Sequence, residues 1–369
     1  MENTKILFIS RAYPPIMGGI ENQNYALSIW LPKHAEVKTI ANIRGKIFLP
    51  FFLPWATLRA LWLMRQYDAL LLGDGVLSCL GWTVKLFHSK PVISVLHGLD
   101  LTFRNSLYQK IWVNLFLPKL DKFICVGNET LRVAKEKGLA GHKLVFIPNG
   151  VDPAELCEPH TRAELGELLG LPLEGKKVIA RVGRYVRHKG VEWFIQNVMH
   201  RLPEHYILVA AGAVVASKTA GDENMYPACQ KAIQENSLEG RVKLLTNLPW
   251  KKMKVLFNTA DLFISPNIKV EGTMEGFGIN AIEAAVCSRV VVASRLEGLQ
   301  DAIKDAQNGF LVTPGEPQGF IDKITSLLEN ETFCNEFGEK ARQFTLEHYS
   351  WEKIAKQYVN EIRKITSNG

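Results

Sequence analysis

Two carboxylates, Glu275 and Glu283, lie eight positions apart in a segment with little other charge. Residues 274–286 read MEGFGINAIEAAV. The apolar run that begins at Phe277 predicts the first turns of a buried helix, in which Glu283 is the only charge. Because an unpaired buried carboxylate costs several kcal/mol, Glu283 must meet either a protein partner or a polar ligand such as a sugar diol.

The glycines beside Glu275 favour an anion site at the start of this helix. Gly276 and Gly278 carry no side chains, and free backbone N–H groups and the helix dipole attract anions there. This arrangement is suited to a sugar diphosphate. The alternative is an ordinary buried helix, with Glu275 favourable near the N-terminal dipole and Glu283 bonded to a neighbouring side chain.

A second loop carries positive charge. Residues 183–190, after a predicted strand, read GRYVRHKG. Arg184 and Lys189 are suited to bind a diphosphate, because each charge-assisted hydrogen bond is worth roughly 1.5 to 3 kcal/mol. Two such bonds would anchor a nucleotide and offset the charge of a leaving phosphate. The alternative is a solvated basic turn.

The first half of the chain offers further candidates at the ends of predicted strands. Gly18 and Gly19 follow the first strand, where they let backbone amides approach a phosphate. His97 and Asp100 follow another strand, and Asn149 lies in a turn after a third. Ligands of parallel α/β sheets bind beyond the carboxyl ends of the strands, which favours a role for these residues in binding. A lone histidine is also common as a structural residue.

All these candidates follow short apolar runs that alternate with helical stretches, a pattern typical of parallel sheets covered by helices on both faces. The alternation restarts after the linker 170–175, so a chain of 369 residues is expected to form two domains. A last amphipathic helix is expected from Ser350 to Ile362. The predicted strands are 5–10, 36–40, 68–72, 91–96, 122–126, 143–147, 176–182, 206–211, 242–245, 261–265, 290–293 and 309–312.

Charge is concentrated in the first half. Residues 1–150 contain 18 Lys+Arg and 9 Asp+Glu, a net charge of +9 in a chain whose total is +7. A basic face suits nucleic acid, an anionic membrane or an anionic acceptor, or is a solvated surface that keeps the protein soluble. Because no nucleic-acid-binding motif accompanies it, we expect no nucleic-acid partner.

Several classes of protein are disfavoured. The six cysteines have no C-x-x-C spacing, which argues against a zinc site and a disulfide scaffold. The G-x-G-x-x-G fingerprint is absent, which counts against NAD or FAD. The N-terminus has no signal-peptide pattern, so a cytoplasmic protein is expected. The apolar segment 47–64 holds Pro50, Pro54 and Arg59, and we do not expect it to span a membrane.

Five elements, in this order, resemble the retaining glycosyltransferases of family 4, which are group 1 glycosyltransferases. The elements are Gly18-Gly19, His97-Gly98, Pro148-Asn149-Gly150-Val151-Asp152, Gly183-Arg184 with Lys189-Gly190, and the segment from Glu275 to Glu283. The resemblance implies an α/β fold of two facing Rossmann-like domains, the glycosyltransferase B type. The implied ranges are 1–170 for an acceptor-binding domain, 171–347 for a nucleotide-sugar-binding domain, and 348–369 for a C-terminal helix that returns to the first.

The resemblance also implies roles for the candidate residues. Arg184 and Lys189 bind the diphosphate, and Glu283 binds the ribose hydroxyls. Glu275 contacts the donor sugar, and His97 lies near the transferred sugar. The implied catalytic residues are His97, Arg184, Lys189 and Glu275. The implied donor-binding residues are Gly18, Gly19, Arg184, Lys189, Glu275, Gly276, Phe277, Gly278 and Glu283. Asp100 and Asn149 are assigned to the acceptor side.

The expected function is transfer of a hexose or related sugar, with retention, from a nucleotide-diphosphate sugar to a lipid-linked, polysaccharide or other glycan acceptor. No cofactor is expected beyond the nucleotide sugar as co-substrate. No metal is expected either, because the sequence has no Asp-x-Asp and the Arg184–Lys189 clamp supplies positive charge. Asn247 stands where a glycine is frequent in the family, which leaves the nucleobase open. The alternative is a non-catalytic sugar-nucleotide or glycan-binding protein that kept the fold.

An anionic membrane surface is a further expected partner of the basic first domain. The stretch from Phe48 to Arg65 combines aromatic residues such as Trp55 and Trp62 with basic ones such as Arg59. Such a stretch suits a membrane interface, although it would equally suit a protein core. The expected location is therefore the cytoplasm, and a membrane-bound fraction is expected to lie peripherally on the cytoplasmic membrane face.

Overall fold

The computed structural model describes residues 4–16, 18–215 and 223–367. The chain divides into two compact units, one running up to Gly150 and resuming at Tyr349, the other from Val151 to His348. The division lies ahead of the expected boundary at residue 170. Its physical reason is Arg162, whose Nη1 donates to Asp261 Oδ2 at 2.8 Å and thereby ties the segment after Gly150 to the second unit.

The first unit is built on a six-stranded sheet in which every neighbouring pair is parallel, in the order β2-β1-β3-β4-β5-β6. Its two central strands β3 and β4 are buried at every position. Strands covered on both faces need apolar residues throughout, which explains their continuous apolar runs. The strands are β1 (Lys5–Ser10), β2 (Glu36–Ala41), β3 (Ala69–Leu72), β4 (Val92–Leu96), β5 (Lys122–Cys125) and β6 (Leu144–Phe146).

Helices connect these strands. No helix within the described ranges is long and apolar enough to cross a membrane, and the expected non-spanning segment 47–64 contains α2. A π-helical stretch, Gln109–Phe116, follows α5. The helices are α1 (Gly19–Trp30), α2 (Leu49–Leu63), α3 (Ser78–Phe87), α4 (Leu99–Thr102), α5 (Ser106–Tyr108) and α6 (Asn128–Glu136).

The second unit repeats this plan with a parallel sheet in the order β12-β11-β10-β7-β8-β9. Its strands are β7 (Lys177–Val182), β8 (Tyr206–Gly212), β9 (Val242–Thr246), β10 (Leu262–Ser265), β11 (Val291–Ser294) and β12 (Phe310–Val312). Its helices are α7 (Pro153–Leu156), α8 (Arg162–Leu169), α9 (Val191–Asn197), α10 (Tyr226–Glu235), α11 (Trp250–Thr259), α12 (Ile279–Val286), α13 (Leu299–Ala302), α14 (Pro317–Glu329) and α15 (Glu331–Tyr349).

The last helix, α16 (Trp351–Thr366), belongs to the first unit. Tyr358 is fully buried, and Gln23 Nε2 donates to its hydroxyl at 3.2 Å. Gly150 accommodates the start of α16, since a Cβ there would lie 2.6 Å from the Trp351 ring. The expected α/β fold, with two Rossmann-like sheets and a C-terminal helix on the first, is confirmed, and the twelve predicted strands match within one residue at each end.

We predict that Tyr358→Ala destabilises the first unit by about 3 to 5 kcal/mol, because it removes a fully buried aromatic side chain and leaves a cavity. Lys356→Ala, on the exposed face of the same helix, is the matched control and should change stability by less than about 0.5 kcal/mol. Urea denaturation followed by circular dichroism measures both. Equal effects of the two substitutions would contradict this account of the docking of α16.

Candidate functional site

An ion pair between Lys189 and Glu275 forms the centre of the candidate site in the second unit. Lys189 ends a 3-10 turn after β7, and Glu275 lies in the loop between β10 and α12. The two side chains are only 17% and 12% exposed, and Lys189 Nζ donates to Glu275 Oε2. Asn267 Nδ2 donates to the same oxygen at 2.8 Å. The pair therefore fixes two loops at the carboxyl edge of the sheet to each other.

This environment keeps Glu275 ionised. Burial by itself raises the pKa of a carboxyl group, but the charge of Lys189, followed by that of His188 and the hydrogen bonds from Lys189 and Asn267, brings the pKa of Glu275 down to about 2. Burial has the opposite effect on the Lys189 ammonium group and lowers its pKa, and the charge of Glu275 opposes that shift. Each charge thus depends on the other for its stability in a buried place.

The N-terminus of α12 is held beside this pair. Gly278 caps the helix with φ +88°, a left-handed conformation, and a Cβ there would lie 2.6 Å from Leu299 Cδ2. The Glu275 amide donates to Glu297 Oε2 at 2.7 Å, and Asn280 Nδ2 donates to the Val182 carbonyl at 2.6 Å. These bonds position the glycine-rich turn and the first N–H groups of α12 next to the loop that follows β7.

Arg181 adds positive charge that sequence reasoning missed. It is 2% exposed in β7, and its Nη1 donates to the carbonyls of Gly183 and, at 3.2 Å, Arg184. Burial lowers the pKa of Arg181 to about 10. The charges of Arg181 and Arg184 both disfavour protonation of Lys189. Three cationic side chains therefore act on the same small region, an arrangement suited to bind a polyanion.

Glu283 lies one turn into α12 and is half-buried. Burial, and then the charge of Glu155, raises the pKa of Glu283 to about 7. No cationic side chain in the described part of the chain forms an ion pair with Glu283. The sequence left two alternatives for Glu283, a protein partner or a polar ligand. Because the described residues place no cation against it, its oxygens remain suited to accept hydrogen bonds from the hydroxyl groups of a ligand.

The loop after β4, in the first unit, carries His97 and Asp100. His97 Nε2 lies 2.9 Å from the Gly73 carbonyl. Asp100 is 6% exposed, and its carboxylate accepts from the amides of Gly75 at 3.1 Å and Gly98 at 2.9 Å. Burial raises the pKa of Asp100. Because both carboxylate oxygens bind backbone amides, Asp100 shapes this loop; its expected role on the acceptor side stays a prediction.

Gly18, Gly19 and Asn149 also belong to the first unit. Gly18 is the N-cap of α1, and a Cβ on Gly19 would meet no atom within 4 Å. Asn149 is 3% exposed, and its Oδ1 receives no hydrogen bond from any residue that the structure describes. Their expected roles also stay predictions.

Sequence reasoning missed a buried pair in the first unit. Arg11 Nε lies 2.8 Å from Asp74 Oδ2, and the Asp74 side chain has no exposed surface. Asp74 also caps a turn, because its Oδ1 accepts a hydrogen bond from the Val76 amide at 2.9 Å. The signal available in the sequence was a charged residue close to the end of each strand: Arg11 directly follows β1, and Asp74 follows β3 after one glycine. No group of three or more His, Cys, Asp or Glu residues that could hold a metal occurs within residues 4–16, 18–215 and 223–367.

Two family models match the chain. The model described as glycosyl transferases group 1 matches residues 170–344. The model described as glycosyltransferase family 4 matches residues 17–155. The two matches together span most of both units.

Similar proteins include one enzyme compared by sequence and two proteins of solved structure. The D-inositol 3-phosphate glycosyltransferase of Corynebacterium urealyticum is 26% identical over 84% of this chain and 70% of its own. The sucrose-phosphate synthase of Thermosynechococcus elongatus superposes with a TM-score of 0.81 at 19% identity over 100% of both chains. The Anabaena protein Alr3699/HepE, solved with UDP and glucose, gives 0.78 at 19% identity over 98% of this chain and 100% of its own. The two solved structures share the fold.

We predict that Glu283 makes stability depend on pH. Its folded pKa of about 7 lies above the ordinary value of 4.5, so the folded state holds this proton more tightly than the unfolded state does. Its contribution to stability is greatest below pH 4.5 and is lost as pH rises towards 7. Glu283→Gln should therefore gain stability relative to the wild type across this window, by at most about 1.4 kcal/mol per pH unit.

Urea denaturation at a series of pH values measures this difference. Glu239→Gln, which changes an exposed carboxylate of the same unit, is the matched control for loss of one negative charge. Parallel pH profiles of the wild type and Glu283→Gln would contradict the prediction.

Proposed function

Because this chain belongs to the group 1 glycosyltransferases, we propose that it transfers a hexose or related sugar, with retention, from a nucleoside diphosphate sugar to a glycan or lipid-linked acceptor. The observation that carries the proposal is the buried Lys189–Glu275 pair at the N-terminus of α12. It joins a cationic loop to a fixed glycine-rich turn, and these are the groups that a sugar diphosphate requires.

In this proposal the diphosphate binds the loop after β7. An ammonium group has three N–H donors, and Glu275 uses one of those on Lys189, which leaves donors for phosphate oxygens. Arg184 lies in the same loop, and the buried Arg181 guanidinium supports its carbonyl. Their positive charge stabilises the diphosphate as it leaves, so we propose that the reaction needs no metal on the diphosphate.

The sugar and ribose bind on either side of this loop. Glu283 accepts hydrogen bonds from the ribose hydroxyls, since it has no cationic partner in the described part of the chain. Glu275 and the amides of Phe277 and Gly278 bind the donor sugar. The UDP and glucose bound to the Anabaena relative support a nucleotide sugar as donor.

Retention follows from attack on the same face of the sugar that the diphosphate leaves. The bond from the sugar C1 to the diphosphate oxygen breaks, and the acceptor oxygen forms the new bond to C1. The acceptor proton passes to the departing diphosphate oxygen, so no protein base is required. The chain's contribution is then positioning and charge stabilisation. His97, whose ring is oriented by the Gly73 carbonyl, is proposed to lie near the transferred sugar, with Gly18 and Gly19 at the diphosphate.

We predict that one of UDP-, GDP- and ADP-glucose raises the melting temperature and is slowly hydrolysed to the free nucleotide, because ligand binding stabilises the folded state. Arg184→Ala should weaken binding about tenfold to a hundredfold through loss of a charge-assisted hydrogen bond. Glu283→Ala should weaken it through loss of the ribose contact. Thermal shift and nucleotide release are the measurements.

Arg187→Ala is the matched control, since Arg187 is an exposed arginine of the same loop and should leave binding unchanged. Equal losses in Arg184→Ala and Arg187→Ala would favour a solvated basic turn. Binding without hydrolysis, and without transfer to any glycan acceptor, would favour the non-catalytic binding protein. No binding of any of the three would sink the proposal.

The helix α2 supports an anionic membrane as partner of the first unit. Phe52, Ala56, Ala60 and Leu63 form its buried face. A second face, spaced by four, three and four residues, is more than half exposed and entirely apolar. It consists of Phe51, Trp55, Leu58 and Trp62. The outward face of a helix in a water-soluble unit is normally polar, so this face suits a lipid interface.

The charge around α2 favours anionic lipid over other partners for the exposed apolar face of this helix. Residues 37–67 contain five Lys or Arg and no Asp or Glu. Arg59 lies over the Trp62 ring, with its guanidinium carbon 5.4 Å from the ring centre. We therefore propose that α2 docks peripherally on the cytoplasmic membrane face, where a lipid-linked acceptor is within reach of the first unit.

We predict that the protein sediments with vesicles of phosphatidylcholine and phosphatidylglycerol more than with phosphatidylcholine alone. Trp55→Ser combined with Trp62→Ser should abolish sedimentation, because it removes the two largest exposed side chains of the outward face. Arg59→Gln should weaken partition about fivefold. Phe333→Ser, at an exposed aromatic residue of the second unit, is the control. Binding that ignores the anionic lipid, or a change of oligomeric state in the double variant, would contradict the prediction.

A further inference from the structure

Two cysteines outside the proposed donor contacts lie side by side in the second unit. Cys157 Sγ is 3.6 Å from Cys287 Sγ and 3.3 Å from the Val286 carbonyl. All six cysteines of the chain are free thiols. Cys157 directly follows α7, and Cys287 directly follows α12. The pair therefore faces across the junction between the start of the unit and the helix that carries Glu283.

The two thiols differ in access and in reactivity. Cys157 is half-buried and Cys287 is 4% exposed. The hydrogen bond from Cys287 lowers the pKa of Cys157 to about 7, against the effect of burial and with support from the charge of Arg342. The thiolate is the reactive form of cysteine, so Cys157 is the accessible nucleophile and Cys287 is the adjacent thiol that can resolve its oxidised form.

We propose that Cys157 and Cys287 are a site of reversible oxidation by hydrogen peroxide, and that the resulting disulfide weakens binding of the nucleotide sugar. The Cys157 thiolate attacks one peroxide oxygen, which gives the sulfenic acid and releases hydroxide. The Cys287 thiol then attacks the sulfenic sulfur, which gives the disulfide and releases water. Two thiols lose two electrons and two protons, and peroxide is reduced to water. A dithiol reductant reduces the disulfide and restores both thiols.

The geometry permits this bond with little rearrangement. A disulfide holds its sulfurs about 2.0 Å apart, so the two atoms must approach by about 1.6 Å from 3.6 Å. Cys157 lies in the non-helical segment between α7 and α8, which can move without breaking either helix.

The disulfide affects the donor site through the charge of Glu155. Glu283 lies one turn before Cys287 on α12, and Glu155 lies two residues before Cys157. Glu155 already acts on Glu283 as a like charge. Drawing Cys157 towards α12 also draws the end of α7, which carries Glu155, so the two carboxylates approach each other and the ionised form of Glu283 is disfavoured. The effect on donor affinity rests on the proposed function, whereas formation of the disulfide does not.

Oxidation of the purified chain with hydrogen peroxide tests the site directly. Intact mass spectrometry should show the loss of two hydrogen atoms, and peptide mapping should join Cys157 to Cys287. Cys157→Ser should remove this cross-link, and dithiothreitol should restore the thiols. Cys79→Ser is the matched control, since Cys79 is the other half-buried cysteine and its variant should cross-link normally.

Binding of UDP-, GDP- and ADP-glucose is then compared in the reduced and oxidised chain. The affinity of whichever nucleotide binds the reduced protein should fall about threefold at neutral pH on oxidation, recover with dithiothreitol, and stay unchanged in Cys157→Ser. Over-oxidation without a cross-link, or a cross-link with unchanged affinity, would overturn the proposal. A cross-linked chain whose reduced form binds none of the three would instead contradict the proposed function, and with it the effect on affinity.

Discussion

The cost of burying charge governs the second unit. Lys189 and Glu275 come from loops more than 80 residues apart in sequence, and each is tolerated only because the other is beside it. Asn267 and Glu297 add hydrogen bonds that hold the Glu275 segment. The loop after β7 and the turn before α12 are therefore one structure. The ion pair thereby brings a helix N-terminus and a set of cations together.

The fold could be predicted from the sequence because parallel strands that are buried on both faces are continuous apolar runs. The run at Lys5–Ser10 and the run at Lys177–Val182 each begin a repeated alternation of strand and helix, which gave both sheets. The position of the domain boundary was harder to predict from the sequence. Arg162 joins α8 to Asp261 through a contact between distant segments, and nothing in the local sequence of α8 reports that partner.

The site was predictable only in part, for the same reason. The apolar surroundings of Glu283 showed that this carboxylate needed a partner or a ligand. They did not show that Lys189 would pair with Glu275, or that the charge of Glu155 would act on Glu283. Arg181 escaped notice because a single arginine does not interrupt the apolar pattern of β7. Its signal was that a charge in a central strand must find acceptors, which it does in two carbonyls of the next loop.

The two units handle their charge differently, and this difference connects the proposed activities. The second unit has a net charge of −4 over residues 151–348, yet it places the cationic side chains of Lys189, Arg181 and Arg184 close together beside Glu275, which suits a small polyanion held at close range. The first unit spreads its excess positive charge over the surface, and α2 places apolar side chains outward in the middle of a stretch without acidic residues. Diffuse charge around an apolar face attracts an extended anionic surface better than a single small ion. A soluble donor and a membrane-bound acceptor would then be recognised by separate units through separate physical effects.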